Sequence, residues 1–583
     1  MGHSTQLSRS RTLGRHKPGR VLAALVLSAG LIGAACGGDD AKTDTTETAG
    51  ADTTVADTAA ATTVPPPTTA AEEVPVPGGT MKFAVENDTG NPWRPSEVIC
   101  AASCHQILRN IFDTLTLPNS DGSWSPYLAE SLEPNDDFTE WRITAREGVT
   151  FHDGTAFDGA AIVDNLTRAK TGLVWGFSLR AIEAIAVDPA DPMVAVVTMN
   201  TPWAAFPAIL TTQPGYIASP TWLTASDTDE TLKSIPVGTG PFVYENYVAG
   251  EVFTMTRNDS YWNAPYPFLD AIEFSWIGDA LSRRDALKSG TIDAMHTTNG
   301  VTLSEFREST EFNLTEVTNQ GETGYTLLHV SQEGSPLNDR RVRCALAYAT
   351  DTQSLIDVVG AGVNQLANGP FSPTQIGYLD DSGFPEAQDM AKAQELIAEY
   401  KAEFPGPITL ALATTVDETN LTTAQFQQQW FVEAGIDEVT IDQIDQAAYT
   451  ITAALGNFQV FQWRLHGGFE LDQQYQFWHS ENAADVGAVT LNFGRIKDAT
   501  LDALLDENRA SNDPVRKKEI AEEVNRLFGT ECYNIWGSYT TWGIATQLAV
   551  HGPTGFELPD GKTAVFGAGI AGVVYPMTFW VEQ

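Results

Sequence analysis

The spacing of apolar residues after residue 80 predicts a chain in which strands and helices are interspersed. Apolar positions recur every three or four residues in Gly159–Lys170 and Asp389–Phe404, which predicts amphipathic helices. Asp158 stands where the N-cap of the first of these helices is expected. Short apolar or alternating runs at Thr80–Val85 and Glu438–Ile444 predict strands. No internal repeat is visible, and this mixture predicts an α/β protein with several lobes.

The same criteria predict further elements. Additional strands are expected at Trp141–Ala145, Met193–Met199, Ala271–Trp276, Thr291–Met295 and Ile408–Ala413, with a strand pair in Phe242–Arg257. Additional helices are expected at Gln106–Leu117, Leu281–Ser289, Asp339–Thr350, Gln353–Val359, Asn420–Ala434, Ala499–Ala510 and Asp513–Phe528. The tail from Tyr533 to Gln583 is expected to consist of short strands and turns.

The first 35 residues have the pattern of an export signal. A stretch with several arginines precedes the apolar run Val21–Ala35, which is too short to span a bilayer comfortably. The run ends at Cys36, and the whole resembles a bacterial lipoprotein signal, although Gly33 stands where such signals usually have leucine. The resemblance implies that Cys36 is lipidated and that the mature chain is extracytoplasmic and anchored to the cell membrane.

Residues 36–79 have a different composition, dominated by Thr, Ala, Asp and Pro. Such a segment carries too few large apolar side chains to offset the entropy of ordering it. We therefore expect a disordered tether, stiffened locally by the three prolines at 65–67.

The net charge restricts the class of partner. The 583 residues include 34 Lys and Arg against 75 Asp and Glu, a formal net charge of −41. A surface of this sign repels phosphate backbones, so nucleic-acid binding is not expected. It favours neutral or cationic ligands over anions.

Five cysteines are present. With Cys36 used for lipidation, four remain, and four cysteines allow three pairings. In an oxidising compartment we favour the pairs Cys100–Cys104 and Cys344–Cys532, and free buried thiols are the alternative. No Cys or His spacing suits zinc, and no cofactor or metal is expected.

The stretch Phe461–Ser480 concentrates side chains typical of a recognition site. It contains several aromatic residues, Arg464, His466, two adjacent glycines, and the carboxylates of Glu470 and Asp472. Aromatic rings give large rigid contact areas and attract cations, and glycines allow a close backbone approach. The alternative is a partly buried strand and turn with ordinary core aromatics.

Three sequence blocks resemble one protein family. They are FHDGT at 151–155, GTGPF at 238–242 followed by Asn258, Tyr261 and Trp262, and DRRVRCALAYATD at 339–351. In this order they resemble the solute-binding proteins of ABC importers that include the oligopeptide, dipeptide and nickel binders, family 5. The blocks themselves indicate turns and ion pairs rather than chemistry, and the sequence contains no G-x-S-x-G, HExxH or phosphate-loop motif.

The resemblance implies a two-lobed clamshell of the type II periplasmic-binding-protein kind, with an extra inserted domain. The first lobe would comprise 80–118, 236–325 and 533–583, the inserted domain 119–235, and the second lobe 326–532. The hinge would lie near Thr326 and Cys532, close to the disulfide of Cys344.

The resemblance also implies candidate ligand-binding residues. In peptide-binding members a tryptophan, here Trp463, is followed by an acidic residue that holds the amino group of the ligand. Asp472 is the better match for that acid, since a Gln-Gln-aromatic run follows it, but Glu470-Leu471-Asp472 departs from the acid-Pro-acid pattern of relatives. The full set of candidates is Trp463, Arg464, His466, Glu470, Asp472, Trp93 and Phe371. Each could instead be structural.

The function implied is a monomeric receptor that captures a short peptide or another small organic solute and delivers it to an ABC permease. Within the family, a nickel, sugar or opine-like ligand is the alternative. From another class, a secreted hydrolase would use Glu470 and Asp472 as an acid/base pair, because residues two apart on a strand face one side. A solute sensor without a permease is a third possibility.

Overall fold

A computed structural model describes residues 74–88, 93–119, 121–172, 175–318, 322–416, 418–465, 468–564 and 572–582. The predicted signal peptide, almost all of the predicted tether, Cys36 and His466 lie outside these residues. Among the described residues, no helix is both long and apolar enough to cross a membrane.

Helices and strands are interspersed along the chain. The helices are α1 Ala102–Ile111, α2 Gly159–Thr171, α3 Phe206–Ile209, α4 Pro220–Ser226, α5 Ala280–Lys288, α6 Gly300–Glu308, α7 Arg340–Ala349, α8 Thr352–Val358, α9 Met390–Glu403, α10 Glu418–Glu433, α11 Gln446–Leu455, α12 Tyr475–Trp478, α13 Ala499–Ala510 and α14 Pro514–Glu531. The strands are β1 Thr80–Val85, β2 Thr116–Pro118, β3 Trp124–Pro126, β4 Ala129–Pro134, β5 Glu140–Ala145, β6 Ile182–Asp188, β7 Asp191–Met199, β8 Phe242–Val248, β9 Val252–Arg257, β10 Ala271–Trp276, β11 Ala294–Thr297, β12 Phe312–Val317, β13 Thr323–Leu328, β14 Gln365–Leu366, β15 Thr409–Thr415, β16 Glu438–Ile444, β17 Val460–Leu465, β18 Asn534–Tyr539, β19 Trp542–Gln547, β20 Val550–His551 and β21 Trp580–Val581.

Two large sheets define two lobes. The first lobe contains a seven-stranded sheet in the order β12-β19-β11-β1-β10-β9-β8, in which β1 runs parallel to β10 and β11. The second lobe contains a six-stranded sheet in the order β14-β18-β13-β17-β15-β16, in which β15 runs parallel to β16 and β17. Each sheet has its own cluster of buried apolar side chains. The α/β class and the two-lobed clamshell predicted from the sequence are confirmed.

The chain crosses between the two sheets at other residues than those predicted. Strand β13 already pairs with β17 from Thr323, and β18 pairs with β13 as far as Tyr539. The strands of the second sheet therefore begin at Thr323, before the predicted boundary at 325/326, and end at Tyr539, after the predicted boundary at 532/533. The physical reason is that β18 completes the second sheet before the chain returns to the first as β19.

Residues 119–235, here called the inserted segment, carry a four-stranded antiparallel sheet in the order β4-β5-β7-β6. Helix α2 packs on β6 and β7, and a separate apolar cluster lies between helix and sheet. Helix α2 begins as predicted, because the carboxylate of Asp158 accepts a hydrogen bond from the backbone N–H of Ala161 at 2.9 Å.

One predicted helix is wrong in its extent. The sequence predicts a helix over Gln106–Leu117, but α1 begins at Ala102 and ends at Ile111. Phe112 has φ −119° and ψ 123°, an extended conformation, and the following residues Thr116–Pro118 form β2 instead. Tertiary strand pairing overrides the helical spacing of apolar residues here.

The four cysteines within the described residues form two disulfides. Cys100 is bonded to Cys104 immediately before and within α1, and Cys344 of α7 is bonded to Cys532, which follows α14. Both are the pairs favoured from the sequence. The second links residues 188 positions apart.

Two of the sequence blocks that carry the family resemblance make structural contacts within the protein. In FHDGT, the His152 ring donates from Nε2 to the carbonyl oxygen of Gly240 at 2.9 Å, which lies in GTGPF. Thr239 of GTGPF, Tyr261 and Trp262 all donate to the buried carboxylate of Asp113, at 2.9, 3.0 and 3.0 Å. The bond between the first two blocks therefore joins the inserted segment to the first lobe, and the bonds to Asp113 lie within the first lobe.

Candidate functional site

The carboxyl ends of parallel strands from both sheets meet between the lobes. Strand β1 is followed by Glu86, and β17 ends with Arg464 and Leu465. The guanidinium of Arg464 lies 5.3 Å from the ring of Trp542 on β19, and His296, which accepts from the Glu86 N–H, packs on the same ring, so the two strand ends meet across the lobes. In open α/β sheets, ligands bind at the carboxyl ends of the strands, which makes this junction the candidate site.

Arg464 is the central side chain of the junction. Its guanidinium lies 3.2 Å from the carboxylate of Glu322, which immediately precedes β13. The other oxygen of Glu322 accepts a hydrogen bond from the indole Nε1 of Trp542 at 2.8 Å, and Arg464 stacks 5.3 Å from that ring. The side chain of Arg464 is nevertheless 44% exposed, whereas that of Glu322 is 7% exposed. The side chain of Arg464 is therefore partly accessible from solvent at this junction.

A second group of charged side chains lies beside this one. The backbone N–H of Glu86 donates to Nε2 of His296 at 3.1 Å, and Arg283 lies 3.6 Å from the Glu86 carboxylate. The His296 ring packs 5.1 Å from that of Trp542. Two carboxylates and two guanidinium groups thus face each other around a histidine and an indole.

The pKa values follow from burial and from these neighbours. Burial opposes ionisation of Glu86, but His296, Arg464 and Arg283 together outweigh it and hold its pKa below the usual value. Burial raises the pKa of Glu322, against the attraction of Arg464. Burial lowers the pKa of His296 to about 4, so this ring is neutral at pH 7.

Trp463 lies next to Arg464 on β17 but points to the opposite face of the sheet. It stacks on Tyr449 with ring centroids 5.8 Å apart and packs edge-on against Phe493 at 5.2 Å. It is half-buried, so part of the ring remains available for a ligand. Trp463 and Arg464 are the sequence-predicted site residues that the structure leaves accessible at the end of β17.

Asp472 was expected to hold a ligand amino group, and the structure contradicts this prediction. Its side chain is buried and bonded to Arg509 Nε at 2.7 Å and to Trp203 Nε1 at 2.7 Å. Arg509 and Trp203 each bond one oxygen of the carboxylate, and the side chain is 1% exposed, so a ligand amino group has no access to it. Its partners belong to α13 and to the inserted segment.

Glu470 is also committed to a structural contact rather than to a ligand. Its carboxylate lies 2.7 Å from the ammonium group of Lys517 on α14 and accepts a hydrogen bond from Asn508 at 3.4 Å. Glu470 further caps the short 3₁₀ turn Leu471–Gln474. A free acid/base pair of Glu470 and Asp472 is therefore absent.

Two other candidates are core residues. Trp93 is fully buried and packs edge-on against Tyr247 and Phe253, with centroids 5.4 and 5.0 Å apart. Phe371 is buried against Trp478. Aromatic packing explains both positions, and neither prediction of ligand contact is supported by the structure.

Glu86, His296 and Glu322 were missed from the sequence because no local pattern marks them. They come from three strand ends that only the fold brings together. Arg509, by contrast, carried a signal. In α13 the buried residues recur at Leu501, Leu504, Leu505 and Asn508, and Arg509 continues that apolar face. A charged residue on an apolar helix face requires a buried partner.

Over the residues that the structure describes, no group of three or more His, Cys, Asp or Glu side chains is arranged to hold a metal ion.

Comparison with known proteins identifies a family. The profile of the bacterial extracellular solute-binding proteins, family 5, matches residues 123–486. The glutathione-binding protein GsiB of Salmonella paratyphi A is 28% identical over 372 residues, 64% of this chain and 69% of that protein. The nickel-binding periplasmic protein of Escherichia coli is 26% identical over 295 residues, 49% of this chain and 55% of that protein.

A solved structure shows the same fold. The periplasmic binding protein DppA of Helicobacter pylori, in complex with the peptide STSA, superposes with a TM-score of 0.75. The match covers 87% of this chain and 99% of DppA, with 21% sequence identity.

Proposed function

We propose, from the premise that this chain belongs to the bacterial extracellular solute-binding proteins of family 5, that it captures a short peptide or a related small organic solute by closing its two lobes. The binding proteins matched above act on glutathione, nickel and a peptide, so the family alone leaves the ligand open. The observation that carries the proposal is the half-exposed Arg464 at the meeting point of the strand ends. A guanidinium there suits a carboxylate or carbonyl of a peptide-like solute.

The energetics of this site are adequate for capture. Micromolar affinity requires about 8 kcal/mol. A hydrogen bond to a charged group contributes about 1.5–3 kcal/mol. Arg464 therefore selects and orients a solute, and the remainder must come from burial of the solute's apolar surface and from backbone hydrogen bonds at the strand ends.

A peptide or organic solute is favoured over a bare metal ion. The site at the strand ends offers two guanidinium groups, and these repel cations. Its carboxylates, Glu86 and Glu322, both interact with arginine.

A hydrolase using Glu470 and Asp472 is not retained. Each carboxylate is ion-paired within the protein, with Lys517 and Arg509 respectively. The family consists of binding proteins.

We further propose that Cys36 anchors the protein to the membrane through a lipid, and that the monomer delivers its solute to an ABC permease. The order of a basic stretch, a short apolar run and Cys36 supports the anchor. In the producing cells, Cys36→Ser should move the protein from the membrane fraction to the soluble fraction. Retention of the variant in the membrane fraction would contradict the anchor.

The test of ligand capture is native mass spectrometry of the purified protein, because a closed cleft retains its solute. A bound mass in the range of a short peptide is expected. Titration with glutathione, with tetrapeptides and with Ni²⁺ then measures affinity, and intact ligand must be recovered afterwards. Hydrolysis of the ligand, or tighter binding of Ni²⁺ than of every organic solute, would overturn the proposal.

A further inference from the structure

The inserted segment touches the second lobe at residues that are remote from both chain crossings. Trp203 of the inserted segment donates its indole N–H to Oδ2 of Asp472 at 2.7 Å. The next residue, Ala204, donates its backbone N–H to the carbonyl oxygen of Arg509 at 2.8 Å. From the other side, Gln473 donates to a carbonyl oxygen of α3 at 3.0 Å. Hydrogen bonds thus join two parts of the fold that are about 270 residues apart in sequence.

The centre of this contact is sealed from water on both sides. Trp203 is fully buried, and the side chains of Asp472 and Arg509 are 1% and 6% exposed. The guanidinium of Arg509 lies 4.4 Å from the ring centroid of Trp203 and 3.3 Å from that of Tyr475. Two aromatic faces therefore cover the cation while the carboxylate neutralises it.

The rim of the contact is looser. Arg180 donates to the carbonyl oxygen of Glu481 at 2.8 Å and is itself exposed. Phe177, beside Arg180, packs against the apolar cluster of the second lobe. The contact thus has a dry centre and a wet edge, as protein interfaces do.

The inserted segment is attached to the first lobe, and this attachment determines which contacts break when the lobes separate. Both of its ends continue into the first lobe, and Tyr127 is hydrogen-bonded to Tyr261 at 2.6 Å. Its contact with the second lobe is noncovalent. A movement of the second lobe away from the first lobe and the inserted segment therefore breaks the contact between Trp203 and Asp472.

We propose that Trp203, Asp472 and Arg509 form a latch that sets how long a solute is retained, without being part of the Arg464 site. The inference rests on the proposed function in one respect, that the two lobes open and close. Trp203 and Asp472 are therefore positioning residues that act through the closed geometry of the cleft.

The chemistry of the latch suits repeated opening. Asp472 and Arg509 both belong to the second lobe, so they stay paired when Trp203 withdraws. Water then solvates the pair, which relieves the cost of burying two charges. That gain offsets part of the cost of exposing the indole ring. A latch built on two partners from opposite lobes would instead leave an unpaired charge on each.

Hydrogen exchange on the full, solute-free chain tests the latch. Trp203→Phe keeps an aromatic ring but removes the donor to Asp472, so the closed form loses a charge-assisted hydrogen bond. We expect at least tenfold faster exchange in peptides that contain the Ala204 amide, while peptides from β4–β7 keep the exchange rates of the wild type. The matched control is Trp222→Phe, whose indole donates to Leu232 within the inserted segment at 2.8 Å. This control should leave Ala204 exchange unchanged.

A second variant approaches the latch from the other lobe. Gln473→Ala removes the hydrogen bond to α3 and should accelerate exchange in the same peptides. Unchanged exchange at Ala204 in both variants would overturn the latch, and so would acceleration spread over β4–β7, which indicates loss of the segment's own fold. Since no solute is present, failure of the latch leaves ligand capture standing, and a failure of ligand capture is detected separately by the solute titrations.

Discussion

Gly300 of the first lobe approaches the carbonyl oxygen of Gly360 in the second lobe so closely that a Cβ at position 300 would lie 2.0 Å from that oxygen. Gly300 comes shortly after β11 of the first lobe's sheet, and Gly360 lies between β13 and β14 of the second lobe's sheet. A steric clash between them would therefore be relieved by moving one lobe against the other. Gly300→Ala should therefore keep the lobes apart while each lobe remains folded. We expect a larger radius of gyration by small-angle X-ray scattering and weaker solute binding.

The control for this variant is Val301→Ala in the same helix, where the side chain is 51% exposed. It should change neither quantity. A Gly300→Ala protein with wild-type dimensions and wild-type affinity would show that the contact yields locally.

Arg464 is expected to contribute directly to solute affinity. Arg464→Ala should weaken binding of the co-purified solute at least tenfold, about 1.4 kcal/mol, measured by calorimetry. Arg464→Lys should recover only part of this, because lysine lacks the planar guanidinium. The matched control Arg340→Ala removes an arginine that is 57% exposed and lies on α7. Equal affinity of the Arg464 variants and the wild type would place the ligand elsewhere in the cleft.

Asp113 should make the protein less stable as the pH rises from about 4 to about 6. Burial raises its pKa to about 6, despite hydrogen bonds from Trp262, Thr239 and Tyr261. In the unfolded chain its pKa is about 3.9, so between these values the native state binds more protons. At neutral pH the ionised Asp113 therefore lowers the free energy of unfolding by its full amount, on the order of 3 kcal/mol.

Asp113→Asn should remove this cost. Its stability relative to the wild type, from urea denaturation, should increase with pH across the window. Asp259→Asn, an exposed carboxylate near Tyr261, is the control. A constant difference between Asp113→Asn and wild type from pH 4 to pH 7 would contradict the prediction.

His296 should have the opposite effect on stability. Burial lowers its pKa to about 4, below the unfolded value of about 6.5. The unfolded chain therefore binds more protons in this range, and stability contributed by the neutral ring is lost as the pH falls from about 6.5 towards 4. His296→Gln keeps a hydrogen-bond acceptor for the backbone N–H of Glu86. This variant should lose less stability than the wild type as the pH falls from about 6.5 towards 4. An unchanged pH profile in urea denaturation would show that His296 is not the responsible group.

The two disulfides should contribute unequally. Cys344–Cys532 closes a loop of 188 residues and Cys100–Cys104 one of 4. On loop entropy, the first should stabilise the protein by about 3 kcal/mol more than the second. Paired serine variants compared by thermal unfolding measure this, with Cys100→Ser/Cys104→Ser as the control. Equal losses would indicate that chain entropy is not the dominant effect.

Local patterns were sufficient for most elements of this fold. Asp158 caps α2, and the strands Ala271–Trp276 and Glu438–Ile444 have the predicted bounds, because burial on one face fixes their periodicity. The end of α1 could not be predicted, since residues up to Leu117 keep helical spacing while strand pairing decides their conformation.

The candidate site was predictable only in part. Arg464 and Trp463 lie on one strand and could be recognised together. Arg464 contacts Glu322 and Trp542, which are 142 and 78 residues away in sequence. Only the pairing of strands in the two sheets brings these residues together. Asp472 was misassigned because a buried carboxylate that binds an internal arginine has the same sequence pattern as one that binds an amine.

Strand β19 has a consequence for the order in which the protein assembles during synthesis. It lies between β12 and β11 in the first sheet, although it follows the entire second lobe in sequence. All six strands of the second sheet fall within Thr323–Tyr539, so that lobe has its full complement before β19 leaves the ribosome. The sheet of the first lobe, although its first strand is synthesised early, lacks the strand between β12 and β11 until β19 has been made. A released chain that ends at Thr541 should therefore protect the second lobe from protease and leave the first lobe cleavable.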